Sequence, residues 1–166
     1  MMTAPGIPML MQGQEFLRDK WFSDTRPIDW NRCETYSSVV RLYHDLIQLR
    51  RNLTQCSSGL LGQHVNVFHL DDQNKLLAMH RWSEGGVGDD VVVVFKFSEF
   101  ALEGYRLGFP REGLWRLRFN GDAQVYGDAF DGTQLHEITA EPTPSHGMPY
   151  SAEINIGAYS CLIFSQ

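Results

Sequence analysis

The side chains of this chain that could do chemistry are scattered rather than gathered into a motif. His44-Asp45 sets a histidine beside a carboxylate, but the pair lies between Tyr43 and Leu46 in a stretch of helical period, on its polar side. A solvated helix face is the plainer reading of it. His64, His69, His80, His136 and His146 show neither an H-x-x-x-H spacing nor a Cys/His cluster, so no metal site is expected. Cys33, Cys56 and Cys161 are odd in number, far apart and without a C-x-x-C pair, which reads as reduced structural thiols. No phosphate-cradling glycine loop or Ser/His/Asp set is apparent, and no cofactor is implied. What remains is aromatic. An exposed Trp or Tyr ring can stack on the apolar face of a pyranose, and Trp82, Trp115, Tyr105 and Tyr126 are the candidates, with core and edge packing competing for each.

The elements that must position these residues change character along the chain. Ile7-Pro-Met-Leu-Met11 is a short uncharged run between Gly6 and Gly13, strand-like and apolar enough to need cover on both faces. Phe16 to Trp30 mixes charges with Trp21, Phe22, Pro27 and Trp30 without any period and reads as a long loop. From about Thr35 to Arg51, Val39, Leu42, Tyr43, Leu46 and Leu49 follow amphipathic helical spacing, with Thr35, Ser37 or Ser38 as caps and Arg50 and Arg51 at the carboxyl-terminal dipole end. Asn52 to Gly62 is rich in Ser, Thr, Gln and Gly and reads as a connection.

After Gln63 come eight short β signals: His64–Leu70, Lys75–Trp82, Asp90–Ser98, Tyr105–Phe109, Leu114–Asn120, Thr133–Thr139, Ser151–Ile156 and Tyr159–Phe164. Turn residues such as Asp71-Asp-Gln-Asn74 and Gly85-Gly86 punctuate them, so a mainly β fold is expected, an antiparallel sandwich. Val91-Val-Val-Val94 is its best central strand. The division is therefore residues 1–55 as strand, loop and helix, 56–62 as linker, and 63–166 as the sandwich. A net charge of -6 without a basic stripe disfavours nucleic acid. No apolar run nears the roughly 20 residues of a membrane span, and the opening residues lack the cationic start of a signal peptide. A cytoplasmic protein is expected.

Several segments together resemble glycoside hydrolase family 13, the α-amylase superfamily, and within it most closely the glycogen branching enzymes. PGIPMLMQGQEF is similar to the family's eighth barrel strand and following loop; Asp19-Lys-Trp21, Pro27-Ile-Asp-Trp30 and Leu46-Ile-Gln-Leu-Arg-Arg51 are similar to the loop and last barrel helix; VVVVFKFS, GYRLGFP and PYSAEINI look like strands of its carboxyl-terminal all-β domain. One departure is Lys96, where the family commonly carries an Asn whose local hydrogen bonds a lysine cannot copy.

The resemblance implies a barrel remnant followed by a sandwich, with Gln14, Glu15 and Trp21 on the rim of a sugar-binding cleft, since residues just past a barrel strand face the active site. It also implies the absence of catalytic residues. Retaining chemistry on a glycosidic bond needs two carboxyl groups roughly 5 Å apart, and the family draws them from earlier barrel strands. Gly104-Tyr-Arg-Leu107 resembles the string around the nucleophile, but Gly108 occupies the carboxylate's place. The implied role is the non-catalytic end of an enzyme that moves α-1,4 chains of a glycogen- or starch-like α-glucan onto 6-hydroxyls, bracing the missing barrel portion, with Trp82, Trp115 and Tyr126 as further sugar contacts. The alternatives are a hydrolytic, α-amylase-type parent, a stand-alone carbohydrate-binding module, and a homodimer assembled through the apolar arm Ile7 to Met11.

Overall fold

The computed structural model describes residues 1–130, 132 and 137–166. Among the described residues eight strands form: β1 His64–Asp71, β2 Leu76–Trp82, β3 Val91–Lys96, β4 Leu102–Phe109, β5 Gly113–Asn120, β6 Glu137–Ala140, β7 Tyr150–Ile156 and β8 Cys161–Ser165. Of the strand expected over Thr133–Thr139, residues 133–136 lie outside the described residues, as does His136. Six strands make one antiparallel sheet in the order β1-β2-β3-β8-β5-β6; β4 and β7 pair antiparallel as a second sheet. The sheets are tied at one corner by an antiparallel bridge between Glu141 and Ser151.

The four valines explain the layering. Successive side chains of a strand point to opposite faces, and Val91 to Val94 are all fully buried. Val92 and Val94 join Leu76, Ala78, Leu162 and Phe164 against Leu107, Phe109, Ile154 and Ile156 of the smaller sheet. Val91 and Val93, with Met79, Phe119 and Ile163, face the other way onto Leu42, Leu46, Leu49 and Leu60. The large sheet is thus covered by a two-stranded sheet on one side and by a helix on the other.

That helix is α2, Ser37–Arg50, preceded by a single turn α1, Arg32–Thr35. The helix expected from about Thr35 to Arg51 forms as α2, and α1 is set off from it at Tyr36, whose φ of -112° and ψ of 36° leave the helical region. None of Thr35, Ser37 or Ser38 caps it. Tyr36 is the boundary residue and makes no side-chain cap, while the Thr35 hydroxyl bonds back to the Asn31 carbonyl at 3.3 Å.

Arg50 does not simply complement a dipole either. It is buried and donates to the carbonyls of Met2, Ala4 (2.8 Å) and Gly6. Arg81, fully buried in β2, donates to the carbonyls of Thr3, Leu60 (3.2 Å), Gly62 (2.6 Å) and His64 (3.0 Å). Burial lowers the affinity of both guanidiniums for their protons, and for Arg81 the neighbouring Arg50 charge adds to it. These carbonyls replace the water both ions have lost. Residues 56–62, expected as a linker, are consequently packed: Leu60 and Ser57 are buried, and a side chain at Gly59 would meet the Asp89 carbonyl at 2.2 Å.

Ile7 to Met11 forms no strand. A strand needs a hydrogen-bonding neighbour, and no described strand pairs with this run. Ile7, Met9 and Met11 lie in the open, Ile7 at 97% and Met9 at 84% exposure, while Pro8 and Leu10 are half-buried. Lys96 corrects a further expectation. It is buried, and its Nζ donates to the Asn74 carbonyl at 2.7 Å and to the Ser98 hydroxyl, so the lysine does secure the local turn. Among the described residues no helix is long and apolar enough to cross a membrane.

Candidate functional site

Gln14 and Glu15, two of the residues expected at a cleft rim, sit on a tight turn fixed by one buried ring. Gly13 adopts φ +90°, and a side chain there would meet Arg18 Cβ at 2.9 Å, so glycine suits this position both conformationally and sterically. The 3-10 turn Gln14–Phe16 follows, with Phe16 buried beside Trp30 at a ring separation of 5.8 Å. Gln14 and Glu15 turn back on their own loop: Gln14 Oε1 accepts from Met11 N at 3.3 Å and Glu15 Oε2 from Gly13 N at 3.1 Å. Trp21 stands 93% exposed. A polar cavity of about 450 Å³ in this loop is lined by Phe16, Arg18, Asp19, Lys20, Arg26 and Arg32, among others; Gln14, Glu15 and Trp21 are not part of its wall. The loop therefore does not gather the three expected residues into one pocket.

The aromatic candidates separate sharply. Trp115 is fully buried on β5, its indole nitrogen donating to the Arg111 carbonyl at 3.1 Å and its ring against Phe109. It is a core residue with no face for a sugar, because β5 alternation turns it into the sandwich. Trp82 is half-buried and stacks on two imidazoles, His64 at 5.2 Å and His80 at 4.5 Å. His80 in turn meets Asp90 at 2.8 Å, and Arg111 donates to the same carboxylate at 2.6 Å. These contacts, with Gly86 N, hold Asp90 below the usual carboxylate range although burial opposes them.

Tyr126, also half-buried, donates its hydroxyl to Asp45 at 2.7 Å and stacks on Phe119 at 5.5 Å; burial first, and Asp45 second, raise its pKa. Asp45 is accordingly more than part of a solvated face. His44 beside it is exposed, as expected.

A cluster that single-residue reading did not assemble lies where β1 meets β4. Tyr105 donates to Asp71 at 3.0 Å, and its oxygen lies 2.6 Å from His69 Nε2. His69 stacks on His146 with centroids 3.6 Å apart. Burial lowers the pKa of both imidazoles, and for His146 the neighbouring His69 adds to the effect. Asp71 is held down at about 2, chiefly by the side-chain amide and backbone N–H of Asn74. Tyr105 is pushed up to about 12 by burial and by the Asp71 carboxylate.

His146 takes a left-handed φ of 51° in the hairpin Ser145–Met148, and that hairpin explains Gly108: a Cβ there would lie 2.4 Å from the Ser145 carbonyl. No group of three or more metal-type side chains converges among the described residues. Burial pushes the Cys161 thiol up to about 12, which keeps it protonated.

A helix-backed antiparallel sandwich, led by an apolar run and an aromatic loop, defines the class: an all-β module with an α-helical flank. Residues 68–166 match the family model described as alpha amylase, C-terminal all-beta domain, and the chain belongs to that family. It is similar to the 1,4-alpha-glucan branching enzyme GlgB of Rhodococcus jostii (strain RHA1), 30% identical over 99% of this chain and 23% of that protein. The GlgB of Burkholderia thailandensis is 32% identical over 97% of this chain and 20% of its own length. This chain thus spans about a fifth of the curated relatives it matches.

Among solved structures, pullulanase type I from Bacillus subtilis str. 168 complexed with maltose superimposes with a TM-score of 0.62 at 18% identity, over 99% of this chain and 22% of that one. A pullulanase from Paenibacillus barengoltzii gives 0.63 at 20%, over 99% and 24%. These likenesses show the shared fold.

Proposed function

We propose that this chain acts as the non-catalytic, carboxyl-terminal part of an α-glucan-processing enzyme of the branching type, bracing a (β/α)8 barrel and contacting glucan. The observation that carries the reading is similarity to branching enzymes over 97% and more of the chain, arm and loop included, beyond the all-β domain alone. The exposed Ile7 and Met9 support the bracing role, because apolar residues in such a run need cover. Gln14, Glu15 and Trp21 then lie on the rim of the barrel's cleft. In this reading residues 1–55 belong with the barrel, 56–62 connect, 63–166 form the sandwich, and the protein works in the cytoplasm.

The test is to assay the purified chain on amylose for branching and for hydrolysis, alone and with a separately produced branching-enzyme barrel. Inactivity alone, with binding to the barrel that Ile7→Asp weakens, is the expected result. Turnover by the chain alone at an enzyme-like rate refutes the reading.

The same exposed arm favours a second reading, a homodimer in which two copies cover each other's Ile7 to Met11. Light scattering across a concentration series decides it: a monomer mass at all concentrations rules the dimer out.

A further inference from the structure

The chain as a whole is acidic, with a net charge of -6, yet one cavity in it is basic. The cavity of about 450 Å³ in the loop between Phe16 and Arg32 is walled by Arg18, Lys20, Arg26 and Arg32 against two carboxylates, Asp19 and Asp29. Four cations facing two anions leave a local surplus of two positive charges. The volume falls within the range of small-molecule sites, roughly 300–1,000 Å³.

The fold does not use up these cations. Arg50 and Arg81 are taken up by backbone carbonyls, and Arg106 and Arg111 by carboxylates. Among the described residues, by contrast, the side chains of Arg18, Lys20 and Arg26 make no hydrogen bond or ion pair. Arg32 is positioned but only partly satisfied. Its guanidinium lies 4.9 Å from the centre of the Tyr36 ring, and one amino group donates to the Leu17 carbonyl. Asp19 approaches only to 3.9 Å, and the buried Nε has no partner among the described residues. A guanidinium carries five N–H donors, and a buried donor left over is the kind of group that an ion or an ordered water satisfies. Arg18 is set in place from the opposite side, its backbone N–H donating to the Gly13 carbonyl at 2.9 Å.

Charge number and donor geometry select the ligand. A phosphate monoester carries about 1.5 to 2 negative charges at pH 7 and so matches the surplus, whereas a lone carboxylate leaves a cation unmatched. Guanidinium forks can bond two oxygens of such a group at once. A long polyanion would meet the acidic remainder of the chain, which restricts the ligand to a small one. We propose that this cavity binds the phosphate group of a small phosphate monoester, with Arg18, Arg26 and Arg32 bonding its oxygens and Lys20 adding charge. The proposal does not rest on the function proposed above.

The experiment is an NMR titration of the whole chain in phosphate-free buffer, following the arginine Nε–H signals, with glycerol 2-phosphate, inorganic phosphate, acetate and glycerol as separate probes. Ionic strength is held constant, because general screening would otherwise imitate a site. Saturable shifts at Arg18, Arg26 and Arg32 with the ester are the expected result, with affinity falling about ten-fold in each of Arg18→Gln and Arg26→Gln. Acetate should bind more weakly than either phosphate, and glycerol should give no saturable shift. Neither Arg18 nor Arg26 bonds the fold through its side chain, so both variants keep it, as thermal melts will check. Arg116→Gln, on β5, is the control for diffuse surface charge.

Ester binding that Arg18→Gln and Arg26→Gln weaken, and that Arg116→Gln leaves alone, supports the site. Inorganic phosphate binding there more tightly than the ester supports an oxyanion site and overturns the choice of an ester. Equal weakening by Arg116→Gln, acetate binding as tightly as phosphate, or no saturable shift at the three loop arginines overturns the proposal.

Discussion

Replacing Arg81 with methionine tests how the fold holds its amino-terminal residues. The side chain is fully buried and donates to four carbonyls, those of Thr3, Leu60, Gly62 and His64. A buried acceptor left without a donor costs about 1 kcal/mol or more, so four give ~4 kcal/mol. Against that, methionine removes a buried charge that no carboxylate offsets among the described residues, and relieves its repulsion with Arg50. Apolar replacement of buried charges can be stabilising by about 1–4 kcal/mol when the partners leave as well. Here the partners are backbone carbonyls and stay. The loss wins, at a net of about 3 kcal/mol.

Urea denaturation should show the midpoint falling with an unchanged slope, and residues 1–6 should become protease-sensitive, because the Thr3 carbonyl is one of the four. Arg81→Lys should fall between, since an ammonium offers three donors without the guanidinium's planar spread. A change under about 1 kcal/mol with the amino terminus still protected would refute the reasoning.

The His69–His146 stack makes stability depend on pH in a defined direction. Both imidazoles have lowered folded-state pKa values, so below the unfolded value near 6.5 the unfolded chain takes up protons that the fold resists; denaturant midpoints should fall on acidification below about pH 6.5. His146→Asn, a residue that tolerates the left-handed turn, should flatten that slope. Asp71, held at about 2, adds stability that is present above its ordinary value and lost as pH falls from about 3.8 toward 2, and Asp71→Asn should remove that step. Gly108→Ala should cost about 2 kcal/mol in thermal or urea melts, because the new methyl meets the Ser145 carbonyl at 2.4 Å; an unchanged melt would show that the hairpin yields freely. Trp115→Ala should lose about 4 kcal/mol in the same melts, as suits a core residue.

The strands were legible in the sequence because β-branched runs and turn residues act locally: all of β1 to β5, β7 and β8 fall within three residues of the expected bounds. The helix was legible through its period, but not the short turn α1 that precedes it and is set off at Tyr36. Composition misled where tertiary contacts decide. Residues 56–62 read as a linker, yet they pack because Arg81 takes up the carbonyls of Leu60 and Gly62 and Gly59 permits close approach. Lys96 and Arg50 look like surface residues by type and are buried by backbone acceptors distant in sequence. Among the aromatics, only position decides: alternation sends Trp115 inward, and Tyr126 meets Asp45 from 81 residues away. The pairing of His69 with His146 crosses 77 positions and leaves no spacing signal at all.

The two-sided burial of the valine strand has a consequence for how such modules are inherited and cut. The family match begins at Phe68, yet the outer side of the sheet, Met79, Val91, Val93, Phe119 and Ile163, is roofed by Leu42, Leu46 and Leu49 of α2. An all-β piece excised at its strand boundary would carry a bare apolar wall, the kind of surface that drives aggregation. The smallest piece that can be moved between proteins, or expressed alone, therefore includes the helix upstream of the first strand. Whatever α2 serves on its far side, it cannot drift away from the sheet without unroofing it.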